Sequence, residues 1–286
     1  MNITLSEIES IRDLRYHRTP SLRVRSEKEA LGYVNEIGFC FLFGEQGVEI
    51  PTLWAAVCGE DRPVPRHRHD PDKGRTWKWK DSLPSKGAIH YGKVLRRKPT
   101  LVSLEMLPHF YALSPNYGDL YDYIDQYESG HLSVEAKQIY EALLEEGVMS
   151  TTNLRRAAGL AGGGDNARRF DRGITELQME LKIAKVGIAR TNRWRYAYVY
   201  DLFPRQFPEI VEEARMIGTD EARETLLLRY LHNVVAQPED ATRRIFRWHK
   251  TDWERTLTRL TESGIIERGR SIKGIGDDCL LLPPSE

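Results

Sequence analysis

Apolar positions at helical spacing define a unit in the middle of the chain. Residues 134–147 (VEAKQIYEALLEEG) carry apolar side chains three or four positions apart and end in glycine, which predicts an amphipathic helix. A short helix is predicted at 151–160 and a longer one from 166 to about 182. The alternating stretch IAKVGIARTNRWRYAYVY then predicts a β-hairpin. Three helices followed by a hairpin is the order of a winged helix.

The same order recurs in the C-terminal part of the chain. Helices are predicted at 221–234, 238–248 and 250–264, and IIERGRSIKGIGDDCLLLP supplies a strand, a glycine-rich turn and a second strand. The third helix of each unit carries apolar positions four apart and leads into an apolar strand. Because an internal repeat fixes the architecture, we predict an α+β fold built of tandem winged-helix units.

The N-terminal region is predicted to hold a third, degenerate copy of this unit. LSEIESIRDLR is expected to form a helix with Ser6 and Glu9 as its capping box, and residues 26–38 a second helix that ends at Gly38. The apolar run GFCFLF follows as a buried strand or a tight helical turn. Proline-rich linkers divide the chain into predicted domains at 1–118, 119–207 and 208–286.

Composition narrows the class of protein. Hydrophobic residues make up 40% of the 286 residues and charged residues 29%, as in a globular chain. Apolar runs are too short for a membrane span, and the N-terminus has no signal-peptide pattern. The three cysteines and the cluster HRHDPDKG lack the spacing and the structural frame of a metal site. We therefore expect a cytoplasmic monomer without a cofactor or metal.

The distribution of charge indicates a polyanionic partner, although 42 basic and 42 acidic residues leave the net charge at zero. Residues 60–98 contain twelve Lys or Arg and five Asp or Glu, with aromatic residues between them. Residues 119–146 contain eight acids and one lysine. This alternation predicts one face for a polyanion and another turned away from it. The alternative is a solvated loop followed by a solvated helix.

The predicted partner is double-stranded DNA, because the third helix of a winged helix usually enters the major groove and the wing adds contacts. Arginine also suits phosphate, since it donates two parallel hydrogen bonds. The predicted nucleic-acid-binding residues are Arg155, Arg156, Arg168, Arg169, Arg172, Arg193 and Arg195 in the first unit, Arg243 and Arg244 in the second, and Arg75, Lys78, Lys80, Arg96 and Arg97 in the basic segment.

Several segments resemble the AlkZ/YcaQ family of bacterial DNA glycosylases. They are the N-terminal helix LSEIESIRDLR, the helix ending in EIG, the segment SLEMLPHFYALSP and the C-terminal segments ETLLLRYL and LTRLTESGII. Members of that family consist of tandem winged-helix units around a DNA channel, and some unhook interstrand crosslinks. The resemblance implies a bacterial DNA-binding protein and, if it is an enzyme, a monofunctional DNA glycosylase.

The resemblance also implies where the chemistry of the glycosylases would lie. Their motif of glutamine, an apolar residue and glutamine or aspartate handles the attacking water, and it corresponds here to Phe41, Leu42 and Phe43. A phenylalanine ring offers no lone pair to water, so the standard motif is expected to be lacking. The alternative catalytic residues are Glu45, Glu49 and Gln46, provided that their loop folds back. The expected pocket wall consists of Phe41, Phe43, Trp54 and His109.

Three functions stay open at this point. The first is a DNA-binding protein without the family's standard catalytic motif. The second is a glycosylase that acts on alkylated or crosslinked bases with a relocated carboxylate. The third is a transcriptional regulator or a protein that binds a small ligand or partner. A polar group in the basic channel near Phe43 favours the enzyme, whereas a channel of Phe, Trp and Arg favours DNA binding alone.

Overall fold

The computed structural model describes residues 3–66, 69–190 and 196–283. The chain forms two compact units, of which unit 1 comprises Met1–Trp79 and Thr219–Glu286 and unit 2 comprises Lys80–Gly218. Helices and short strands occur along the whole of the described chain, and the predicted α+β class is confirmed. The division into three domains stays a prediction, and both of its boundaries fall within unit 2.

The N-terminal part of unit 1 contains α1 (Leu5–Arg15), α2 (Glu27–Ile37), β1 (Phe39–Phe41) and α3 (Leu53–Cys58). The capping box of α1 is formed by Thr4 and Glu7, each of which accepts a hydrogen bond from the other's amide. The helix has the predicted residues, but the prediction of Ser6 and Glu9 as its capping box was wrong, because both pairs fit the same four-residue pattern and Thr4 directly precedes the first helical residue, Leu5. β1 is buried along its whole length, as predicted for the apolar run.

Helix α4 (Pro71–Ser85) contains the boundary between the units. Unit 2 continues with an antiparallel hairpin of β2 (Ile89–Gly92) and β3 (Thr100–Ser103), followed by α5 (Leu107–Ala112) and α6 (Tyr123–Glu128). From α2 to β3 the elements follow the order helix, strand, helix, helix, strand, strand. This is the order expected of the third, degenerate winged-helix copy.

The first complete winged helix lies in unit 2. It consists of α7 (Val134–Glu146), β4 (Met149–Ser150), α8 (Thr151–Ala157), α9 (Asp165–Met179), β5 (Ile183–Ala189) and β6 (Ala197–Leu202). β6 lies between β4 and β5 and is antiparallel to both. Gly173 lets α9 approach α7 closely, since a Cβ there would lie 2.9 Å from the carbonyl carbon of Glu135. Helices α10 (Phe203–Gln206) and α11 (Pro208–Arg215) end the unit.

The second complete winged helix returns to unit 1. It consists of α12 (Thr219–Val234), β7 (Ala236–Pro238), α13 (Glu239–Phe246), α14 (Lys250–Glu262), β8 (Glu267–Ile272) and β9 (Gly276–Leu281). β9 lies between β7 and β8, the same strand order as in the first copy. The buried guanidinium of Arg12 in α1 donates to the carbonyl oxygens of Val234 and Ala236, which end α12 and begin β7. These bonds hold α1 to the winged helix within unit 1.

Candidate nucleic-acid interface

An open cleft of about 630 Å³ in unit 2 gathers basic side chains from two separate segments. Its lining residues are Lys93, Arg97, Asp165, Arg168, Asp171, Arg172 and Thr175. Arg97 comes from the β2–β3 loop, whereas Arg168 and Arg172 come from α9, the third helix of the winged helix. The cleft thus joins predicted DNA contacts from the basic segment with those of the third helix. Lys93 lies in the same basic segment but was not among the residues predicted to bind DNA.

The arginines of α9 and of this cleft differ in how closely they are ion-paired with neighbouring carboxylates. Arg168 is 78% exposed and lies 3.8 Å from the carboxylate of Asp165, a long ion pair. Within the part of the chain that the structure describes, the side chains of Arg97 and Arg172 make no hydrogen bond or ion pair. Arg169 is different, because it binds the carboxylate of Glu135 at 2.8 Å and thereby lowers the pKa of that carboxyl. Arg169 therefore holds α9 against α7.

Two arginines of the β2–β3 loop adopt an unfavourable backbone conformation. Arg96 and Arg97 have φ values of 52° and 60°, and the amide of Lys98 donates to the carbonyl oxygen of Leu95 at 2.8 Å. Two central residues with positive φ are typical of a type I′ turn. For residues other than glycine this conformation costs about 1–2 kcal/mol each. Such strain concentrates at binding and catalytic sites, and Arg97 lines the basic cleft.

A second cleft of about 650 Å³ lies in the same unit. Its lining residues are Thr151, Thr152, Arg155, Arg156, Ala161, Gly162, Tyr196, Ala197 and Tyr198. Arg156 is exposed, whereas Arg155 lies over the ring of Phe170 and donates to Asp171 at 3.0 Å. Because Asp171 also lines the basic cleft, the Arg155–Asp171 ion pair connects the two clefts.

Lys80 does not lie on a surface that DNA can reach, and the prediction for this residue was wrong. Its side chain is 0% exposed, and its ammonium donates to Asp81 at 2.5 Å, to Tyr196 at 2.7 Å and to Tyr198 at 2.9 Å. Burial lowers the pKa of Lys80, an effect that Asp81 opposes. The spacing of Thr76, Trp79, Lys80 and Leu83 could have indicated this burial, since these buried residues recur three or four positions apart along α4.

The other predicted DNA contacts are distributed over both units. In unit 1, Lys78 and Arg75 are exposed on α4, and Arg75 donates to Asp72 at 2.9 Å. Arg243 and Arg244 are exposed in the last turn of α13. Arg193 and Arg195, predicted for the wing, lie outside the described residues.

The positions at which the family resemblance predicts the glycosylase motif are apolar and largely inaccessible. Phe41 is 1% exposed and Leu42 is buried. The half-buried ring of Phe43 lies 6.0 Å from that of Trp54 and 6.3 Å from that of Trp77. These three rings form an aromatic cluster in unit 1. Of the predicted pocket wall, Phe43 and Trp54 therefore meet, Phe41 belongs to the core, and His109 lies on α5 in unit 2.

The polar residues after this cluster form a turn. The amide of Val48 donates to the carbonyl oxygen of Glu45, which is half-buried, and Gln46 is exposed at the tip. The carboxylate of Glu49 accepts a hydrogen bond from Arg12 at 3.3 Å, and its carbonyl oxygen accepts one from the hydroxyl of Tyr230 at 2.9 Å. Glu49 thus serves as a counter-ion for a buried arginine.

The fold and its clefts define a tandem winged-helix protein with a basic surface around a third helix. A family model described as AlkZ related matches residues 24–247, and the chain belongs to this family. The structure of the Streptomyces sahachiroi DNA glycosylase AlkZ has a similar fold, with a TM-score of 0.60 at 14% sequence identity. The similarity covers 99% of this chain and 70% of that chain. Among curated proteins the chain has no match.

The helices give no indication of a membrane segment. None of those in the described ranges combines the length and the apolar character that crossing a bilayer requires.

Proposed function

We propose that this chain binds double-stranded DNA through unit 2, with α9 and the β2–β3 loop as the contact surface. The observation that carries this proposal is the meeting of Arg97, Arg168 and Arg172 in one open cleft. Arginine donors gathered in one groove suit the negative charge of a phosphate backbone and can donate two parallel hydrogen bonds to its oxygens. Such a partner implies a cytoplasmic protein, and we propose that it acts as a monomer.

The charge balance of the basic cleft supports an anionic partner. Four basic side chains line the cleft, Lys93, Arg97, Arg168 and Arg172, against two carboxylates, Asp165 and Asp171. Four positive minus two negative charges leave a net charge of +2 in the cleft. Asp171 is also engaged by Arg155, and Asp165 by Arg168 at longer range. The carboxylates are therefore partly neutralised before an anion arrives.

We further propose that the protein does not release bases by the water-activating motif of the glycosylases. Two of the three corresponding positions, Phe41 and Leu42, are buried, and Phe43 packs in an aromatic cluster. A general base must offer a lone pair within hydrogen-bond reach of water. Purified protein should therefore release no alkylated base and unhook no crosslink above background. Robust release by the wild type would overturn this part of the proposal.

The salt dependence of duplex binding tests the proposed interface. The logarithm of the association constant of random duplex should fall linearly with the logarithm of salt concentration, and Arg172→Ala should reduce the slope by about 0.9 for the lost phosphate contact. Arg172→Lys keeps the charge and should keep the slope. Arg215→Ala removes an exposed arginine that is ion-paired with Glu212 and should change neither slope nor affinity. Absent or salt-insensitive binding at low salt would exclude the proposal.

A further inference from the structure

The two tyrosines of the second cleft are held rigidly by the residues beneath them. The hydroxyl of Tyr196 donates to the carboxylate of Asp81 at 2.9 Å, and it accepts from Lys80 at 2.7 Å. The hydroxyl of Tyr198 accepts from the same ammonium at 2.9 Å. The two rings meet edge to face with centroids 5.5 Å apart. Because both hydroxyls bond to this buried ion pair, the tyrosines offer aromatic surface to the cleft.

The rest of the cleft supplies a cationic group and open space, which together with the tyrosine rings suit a nucleotide. Arg156 is exposed and suits a phosphate. The small residues Ala161 and Gly162 also line the cleft and leave space in it, since a Cβ at Gly162 would have no heavy atom within 4 Å. The cleft volume of about 650 Å³ lies within the range of about 300–1,000 Å³ that is usual for ligand sites. Aromatic stacking, a cationic group and open volume therefore occur together.

We propose that the second cleft binds an unpaired nucleotide of DNA, with its base stacked on Tyr196 and its phosphate near Arg156. This inference rests on the proposed duplex binding, because the Arg155–Asp171 ion pair connects this cleft with the basic cleft. When a duplex lies in the basic cleft, a nucleotide extruded from that duplex reaches the second cleft. Stacking of a base on an aromatic side chain contributes about 1–3 kcal/mol and tolerates every base. The site therefore selects for the absence of pairing and is indifferent to sequence.

The test compares two duplexes of equal length, one fully paired and one with a single bulged 2-aminopurine. The full-length protein should bind the bulged duplex about fivefold or more tightly, which corresponds to about 1 kcal/mol of stacking. Stacking should also quench the fluorescence of the bulged 2-aminopurine. Equal affinity for the two duplexes without quenching overturns this inference and leaves duplex binding intact. Binding of neither duplex at low salt overturns the proposed function and this inference together.

Two variants of one residue separate stacking from folding. Tyr196→Leu should reduce the preference for the bulge to about one while affinity for the paired duplex stays unchanged. Tyr196→Phe keeps the ring but loses the hydrogen bond of the hydroxyl to Asp81, and it should keep the preference for the bulge. Thermal unfolding of both variants shows whether they are folded. A preference that survives in Tyr196→Leu overturns the assignment. Free deoxyadenosine monophosphate at the DNA concentration should not reverse the quenching; reversal would identify a free nucleotide as the ligand and overturn the proposal for DNA.

Discussion

The guanidinium of Arg12 lies 3.3 Å from the carboxylate of Glu49, inside unit 1. Arg12 is 3% exposed, so its charge needs a nearby partner, and Glu9 and Glu49 provide one each. The same arginine bonds to the main chain of Val234 and Ala236. Glu49 therefore contributes to the junction between α1 and the C-terminal winged helix, a structural role for a residue that the sequence offered as a catalytic candidate.

Glu49→Gln should lower the free energy of unfolding by about 1–2 kcal/mol, because a neutral amide replaces the charged partner of a buried arginine. Urea denaturation measures this change. Gln46→Ala is the matched control, since Gln46 is exposed at the tip of the same turn and should leave stability unchanged. Unchanged stability of Glu49→Gln together with loss of a base-release activity would restore the catalytic assignment.

Charge reversal at two lysines of α4, two positions apart, should have different effects on the stability of the protein. Lys78 is exposed, and Lys78→Glu should leave the melting temperature unchanged within error. Lys80 is buried on Asp81, Tyr196 and Tyr198, and Lys80→Glu should lower the free energy of unfolding by about 3–5 kcal/mol. Thermal denaturation of both variants measures the two effects. Equal stability of the two variants would mean that Lys80 is accessible after all.

The positive φ of Arg97 in the β2–β3 turn leads us to expect that a substitution there can raise stability and weaken DNA binding at the same time. Arg97→Gly should raise the free energy of unfolding by about 1 kcal/mol, because glycine tolerates the positive φ that arginine adopts there. The same change should weaken duplex binding, since a cation of the basic cleft is lost. Arg97→Lys is the control: it retains both the charge and the backbone strain, and should change stability little. A glycine variant that loses stability would contradict the strained conformation.

Lys185 predicts a specific pH dependence of stability. It is buried on β5, with its ammonium 4.1 Å from the ring centroid of Tyr91 and 4.3 Å from that of Tyr198. Burial, followed by repulsion from Lys80 and Lys93, lowers the pKa of Lys185 from 10.5 to about 7, against a smaller opposing effect of Asp81.

Between pH 7 and 10.5 the unfolded chain keeps a proton on Lys185 that the folded chain has released. The free energy of unfolding should therefore rise with pH across this window, by about 1 kcal/mol per pH unit from this group. Lys185→Met removes this contribution and should be more stable than the wild type at pH 7. Urea denaturation at pH 7, 8 and 9 measures the difference, and parallel curves for wild type and variant would refute the assignment.

The sequence by itself determined the order of the elements. Helical periodicity, terminal glycines and alternating strands depend on neighbours only a few residues away, so the helices of the last unit end within two residues of prediction. The repeated order then fixed the winged-helix units. The helical spacing of α4 also indicated that Lys80 is buried, but the many basic residues of the segment led to the prediction that it is exposed.

Tertiary structure alone decided which side chains meet. Arg97 and Arg172 share a cleft, and Arg12 reaches the end of α12, because the chain folds distant segments against one another. Neither meeting depends on a pattern within one element. The same holds for the carboxylate of Glu49, which sequence spacing placed beside a glycosylase motif and which the fold engages with a buried guanidinium. The charge of a side chain is set by its identity, but its partner is set by long-range packing.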